Sequence, residues 1–338
     1  MLTIVAKCYI IKTEVIFVEE FEPVNPGEPQ AGMGNTANSA PGKKDKYLSG
    51  VFFAMFWSWM GGFVGLFVLQ LVLMYTIPEF LDNSWLMVGT SVFHTAFTML
   101  LFALFMPSSE SCRHPVTARL NFKAALRFCI ISCGIMFAGT FVGNGFSMVL
   151  EAFTGIRSEN AVDEMINNMD FWPMLVAVAI VAPVLEELFF RKLLVDALSR
   201  YGTVFCCVVS GLVFGVFHGN FYQFFYAFGL GMLLAFIYCI YGKISYSIIL
   251  HSIINFCGSV VPLSLGAVSE DNMVIMALYG VIYLALAITG LCFLVKDVKW
   301  FRCYVVESEV KNPFGKLVNG GFIATMIIGA LLFVVYML

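Results

Sequence analysis

Charge is the scarcest thing in this chain. Only 12% of its 338 residues are Asp, Glu, Lys or Arg, about half the share of a soluble domain. Hydrophobic residues make up 60%, including 35 Phe. That balance excludes an ordinary water-soluble globule. A net charge of −3 supplies no basic surface for nucleic acid and no call for a strongly acidic partner. Paired-cysteine spacing is missing as well. Ten cysteines are present, but no CxxC occurs, and Cys129, Cys133, Cys206, Cys207, Cys239, Cys257 and Cys292 sit inside apolar runs as small hydrophobes. HExxH is absent, so there is no helix-local metalloprotease signature. The N-terminus MLTIVAKCYIIKTEVIFVEEF lacks the unbroken apolar core of a signal peptide, because Lys7, Lys12 and Glu14 interrupt it.

What remains is apolar sequence in blocks. Residues 1–46 read as a flexible extramembrane tail, rich in Pro, Gly and Asn from residue 22 onward. Residues 47–338 form the membrane domain. Nine segments approach the length needed to cross about 30 Å of hydrocarbon, over 48–76, 86–106, 124–150, 172–198, 202–219, 222–241, 244–264, 273–295 and 320–337; eight is the alternative count, since the fifth is short. The expected fold is an all-α, polytopic transmembrane helix bundle.

With the N-terminus placed in the cytoplasm, cytoplasmic segments and helix ends collect 16 of the 19 basic residues. Arg157 alone falls outside, and Lys7 and Lys12 lie in the tail. The outside loops IPEFLDN, RSENAVDEMINNMD and SEDN are acidic. This is the positive-inside pattern. Gly61 and Gly65, Gly139 and Gly143, and Gly211, Gly215 and Gly219 recur at i, i+4, the spacing of helices that approach closely.

A few polar residues interrupt the oil. In VAPVLEELFFRKLL, Glu187 and Arg191 are four apart and share a helix face, so they can neutralise each other. Glu186 is turned about 100° away, over Phe190, and is left available. The trio also fits a plain helix-end salt bridge, with Arg191 and Lys192 reaching toward water. Phe214 and His218 share a face just before a helix break at Gly219–Asn220. His251 and Asn255 share another, where they could orient a ligand or simply glue helices together. His94, with only Thr95 and Thr98 nearby, reads as structural.

Taken together, Glu186, His218, His251 and Asn255 are candidates for activating water. A carboxylate in a poorly solvated site can accept water's proton and return it to a leaving amine. Histidine and asparagine would orient the water and stabilise an oxyanion. The same chemistry admits a zinc ion held by Glu186, His218 and His251; the residues alone leave the two open. One geometric demand follows. In straight spans Glu186 lies roughly 21 Å from either end, His251 about 12 Å and His218 about 25 Å above their cytoplasmic ends. Tilt or a shortened fifth span must bring them level.

EELFFR, FGVFH and HSIIN, in this order and spacing, resemble the EExxxR, FxxxH and HxxxN/D motifs of the CPBP family of intramembrane endopeptidases. That family includes type II CAAX prenyl proteases and bacteriocin-processing or immunity proteins. The resemblance covers about residues 172–260, the catalytic core. It implies Glu186 as catalytic base, His218 on the same water, His251 and Asn255 as the oxyanion pair, and Glu187, Arg191 and Phe214 in support, with no cofactor. Lys192 departs from the glycine found there in many bacterial members. The implied substrate is a membrane-associated or lipidated polypeptide reached through the lipid bilayer. Two other classes compete: a membrane scaffold or immunity protein that does not cut, and a proton-coupled transporter. The polar cluster at 186–255 has no counterpart before residue 150, which argues against the inverted repeats of a transporter.

Overall fold

The computed structural model describes residues 45–77, 79–108, 119–155, 169–268 and 273–335. The expected N-terminal tail lies outside the described residues, apart from Asp45 and Lys46. Among the described residues there is no strand, and nine apolar helices follow one another. We number them α1 (Lys46–Thr76), α2 (Ser84–Phe105), α3 (Phe122–Thr154), α4 (Phe171–Tyr201), α5 (Thr203–Phe217), α6 (Phe221–Tyr241), α7 (Ile244–Val260), α8 (Met273–Cys303) and α9 (Gly320–Val335). Each coincides with one of the nine expected segments. Six are long enough to span a membrane, while α5, α7 and α9 are shorter.

Local chemistry sets the ends. Asp45, Asn83, Asn121 and Asn220 stand just before α1, α2, α3 and α6, and each side-chain oxygen accepts the backbone N–H three residues on. Such caps satisfy donors that have no partner within the helix. Gly155 and Gly242 close α3 and α6 at φ of +69° and +62°, the left-handed cap that glycine adopts freely. Gly219, at the end of the glycine row, turns the chain at φ +68° between α5 and α6, where the helix break at Gly219–Asn220 is expected. Helix α8 runs eight residues beyond its expected end at 295, because its charges are accommodated. Buried Asp297 takes two hydrogen bonds from Arg127 of α3, at 2.7 and 2.5 Å.

Helices α5 and α6 form the centre, surrounded by α1, α3, α4 and α9. The expected glycines permit this closeness. A Cβ on Gly139 would lie 2.4 Å from Tyr226 Cα, and one on Gly211 would lie 2.7 Å from the Phe228 carbonyl. The exterior is apolar too: Phe67, Leu71, Phe141, Phe153, Val281 and Leu331 are all exposed. An all-helical chain with such a surface is a multi-pass membrane protein, since lipid demands internally satisfied backbones and tolerates apolar exteriors.

Two helices are irregular where it matters. Helix α4 contains π turns at Ala177–Val181 and Leu188–Val195, on either side of the α-helical Ala182–Glu187. Pro183 lacks an N–H and crowds the carbonyl four residues earlier, so a wide turn ahead of it is the expected accommodation. Helix α7 likewise passes into a π turn at Phe256–Val260 and runs on helically to Val268.

Candidate active site

The glutamate pair ends the regular stretch of α4 and faces α7. Glu187 and Arg191 are fully buried, with Oε1 3.1 Å from Nη1. The same Oε1 accepts a hydrogen bond from His251 Nδ1 at 2.9 Å. The Arg191 guanidinium lies over the Phe214 ring at 4.7 Å and donates to the Gly231 carbonyl at 3.4 Å. Glu187 is therefore committed to holding its neighbours. Glu186 keeps 17% of its side chain exposed, and its Oε2 lies 3.7 Å from His251 Nε2. That gap is too long for a direct hydrogen bond.

His218 caps α5. Its Nδ1 lies 2.8 Å from the Phe214 carbonyl, so the neutral ring donates from Nδ1 and leaves the Nε2 lone pair for another partner. Phe214 stands edge-on to both imidazoles, at 4.8 Å from His218 and 5.8 Å from His251. One ring thus touches Arg191 and both histidines. His251 meets Glu187 although it is only seven residues into α7.

Asn255 faces the same side as His251 but further along α4. Its Nδ2 donates to the Val178 carbonyl at 3.0 Å, inside the first π turn, where carbonyls leave the regular i→i+4 pattern. One amide hydrogen is used there and one remains. All seven residues singled out from the sequence thus converge on the junction of α4, α5 and α7. The Val178 carbonyl was not foreseen, since no residue type announces a π turn. Lys192 points away from the group, pairing with Asp196 at 2.8 Å. His94 is on α2, with its ring 5.0 Å from Phe63.

Among the described residues no group of three or more His, Cys, Asp or Glu side chains is spaced to hold a metal ion. His218 and His251 both use Nδ1 for other partners, a carbonyl and Glu187, so any metal contact would fall to Nε2 of each ring.

Residues 168–257 match the sequence model of the family described as type II CAAX prenyl endopeptidase Rce1-like. Over that stretch the chain is similar to a CAAX protease-like family. The likeness supports a CAAX-type intramembrane protease in general, and the several apolar helices support a multi-pass membrane protein. No curated protein and no solved structure matches the chain. The matched stretch begins just before α4 and ends within the π turn of α7. It therefore contains the whole glutamate–histidine–asparagine group, while α1–α3, α8 and α9 lie outside it.

Proposed function

We propose that this CAAX protease-like core hydrolyses a peptide bond in a membrane-associated or lipidated polypeptide, with Glu186 as the base that activates water. The observation that carries the reading is the division of labour between adjacent glutamates. Glu187 is consumed by Arg191 and His251, whereas Glu186 faces His251 Nε2 across a 3.7 Å gap of the kind a bridging water fills.

The charges support it. Glu187 and Arg191 neutralise each other, as burial in lipid favours, which leaves Glu186 for the water. Water between Glu186 Oε2 and His218 Nε2 gives a proton to Glu186 and attacks the scissile carbonyl. His251 Nε2–H and the free amide hydrogen of Asn255 receive the oxyanion. As the tetrahedral intermediate collapses, Glu186 passes its proton to the leaving nitrogen and the C–N bond breaks, giving a carboxylate and an amine. Phe214 and Arg191 hold the two imidazoles and Glu187 in register. The N-terminus faces the cytoplasm, and the substrate's apolar anchor approaches from the bilayer.

The test is cleavage of a quenched fluorescent, lipidated peptide by detergent-purified protein. Glu186→Gln should lose about 10²–10⁴-fold in rate, the usual contribution of a general base, at unchanged expression. A chelator should leave the wild type unaffected. Activity lost to the chelator and restored by zinc would replace the glutamate mechanism with a metal-dependent one.

A further inference from the structure

Outside the motif residues, three buried polar atoms on the α1–α2 helix pair have no hydrogen-bond partner: Trp59 Nε1, His94 Nε2 and Thr98 Oγ1. Trp59 is 1% exposed and Thr98 3%. His94 and Thr98 are one turn apart on α2. Both border the same point on α1, since a Cβ on Gly62 would meet Thr98 Oγ1 and His94 Cδ2. Trp59 is one turn before Gly62 on α1. Buried polar groups are ordinarily paired, and three orphans on one helix pair need a reason.

Their position supplies one. Ser84 and Asp170 exchange hydrogen bonds at 3.2 Å, which sets the starts of α2 and α4 level. Lower down, the rings of Phe102 and Phe189 meet at 5.1 Å, so the two helices keep this register. Thr98 and Glu186 then lie about 21 and 24 Å from the pinned ends, each one turn above that ring contact. Helix α2 packs against the segment that carries Glu186. Trp59 meets Phe217, the neighbour of His218, at 5.7 Å.

We infer that Trp59, His94 and Thr98 form a substrate subsite beside Glu186 that takes an oxygen acceptor of the polypeptide, either a main-chain carbonyl or a terminal carboxylate. An indole N–H can only donate, and a hydroxyl and an imidazole nitrogen can join it as donors. No carboxylate belongs to the trio, so a cation has nothing to bind. An acceptor on a substrate seated at Glu186 satisfies all three. This assignment rests on the proteolytic reading for the identity of its ligand, and revises the purely structural role expected for His94.

The experiment uses Thr98→Val, which keeps shape and removes a donor, and Trp59→Phe, which removes the indole donor together with part of the ring volume. A fluorescent lipidated peptide is offered as free acid and as C-terminal amide. Its Kd is measured on the full chain carrying Glu186→Gln, and KM and kcat are measured with Glu186 intact. Each substitution should raise Kd and KM about fivefold, the worth of one ordinary hydrogen bond. The kcat should stay within about twofold, and the melting temperature of Thr98→Val should not fall, because an orphaned donor has been removed without loss of volume. Weakening of the acid alone identifies a terminal carboxylate, and weakening of both peptides identifies a main-chain carbonyl. Unchanged Kd in both variants, no peptide binding at all, or a lowered melting temperature of Thr98→Val overturns the subsite. Cleavage with trio-independent binding removes the subsite and leaves the protease reading standing. Trio-dependent binding without cleavage does the reverse.

Discussion

Glu187 and Arg191 show how charge survives in an apolar core. Both side chains are fully buried; among the described residues Arg191 Nε and Glu187 Oε2 have no hydrogen-bond partner, and the pair is held by its own attraction together with His251, the Gly231 carbonyl and the Phe214 ring. Removing one partner leaves an uncompensated buried charge, which costs about 3–5 kcal/mol, whereas replacing both with apolar groups of similar volume is often neutral. Glu187→Leu should therefore yield little folded protein, and Glu187→Leu with Arg191→Leu should recover it. The recovered protein should still fail to cleave, because His251 Nδ1 has lost its acceptor. Thermal melts and the peptide assay on the same preparations separate the two effects. Recovery of activity along with stability would show that Glu187 does not position His251.

At this scale the sequence was largely readable. Spacing of four already separated Glu187 from Glu186, and the separation holds in three dimensions. Less legible was what the polar atoms touch across helices. Asn255 meets a backbone carbonyl rather than a side chain. Trp59 and Thr98 carry no mark in a chain with five tryptophans and many buried hydroxyls.

Among elements, the close helix contacts make the most specific demands. In α3, Gly139 faces the Tyr226 backbone of α6 at a distance no Cβ tolerates, while six residues later Gly145 has nothing within 4 Å. Gly139→Ala forces backbones apart, and overpacking of this kind costs about 1–3 kcal/mol. Gly145→Ala only improves helix propensity, by up to about 1 kcal/mol. The first should lower the melting temperature of the purified protein and the second should hold or raise it. Equal behaviour of the two would mean that α3 and α6 are not so closely packed. Glycine periodicity pointed to this ridge, and the break read at Gly219–Asn220 falls where α5 ends. The π turns of α4 and α7 were hidden. They change the helical period over only five to eight residues, and apolar side chains on every face leave no periodicity to disturb.

For the whole molecule, the open matter is on which side of the membrane each terminus lies. The ends of α1, α4 and α9 that carry or adjoin basic residues are gathered at one end of the bundle: Tyr201 bonds Asp45, Tyr47 bonds the Ala197 carbonyl, and the Gly321 N–H reaches Ser49. From there α9 runs parallel to α1. Phe322 packs on Phe52, Gly329 adjoins Trp59, and Phe333 reaches Phe221 and Phe224 at the start of α6. The 16 residues of α9 measure about 24 Å, short of the roughly 30 Å hydrocarbon thickness, but a mismatch of this size is met by local thinning at a fraction of a kcal/mol per Å. Nine crossings with the N-terminus in the cytoplasm place the C-terminus on the opposite side. Epitope tags at residues 1 and 338, probed with antibody in intact and in permeabilised cells, decide it. The C-terminal tag should stain in intact cells and the N-terminal tag only after permeabilisation. Both tags hidden until permeabilisation would mean eight crossings, with α9 dipping into the bilayer and back. The reverse pattern would mean that the basic ends do not set the orientation of this protein.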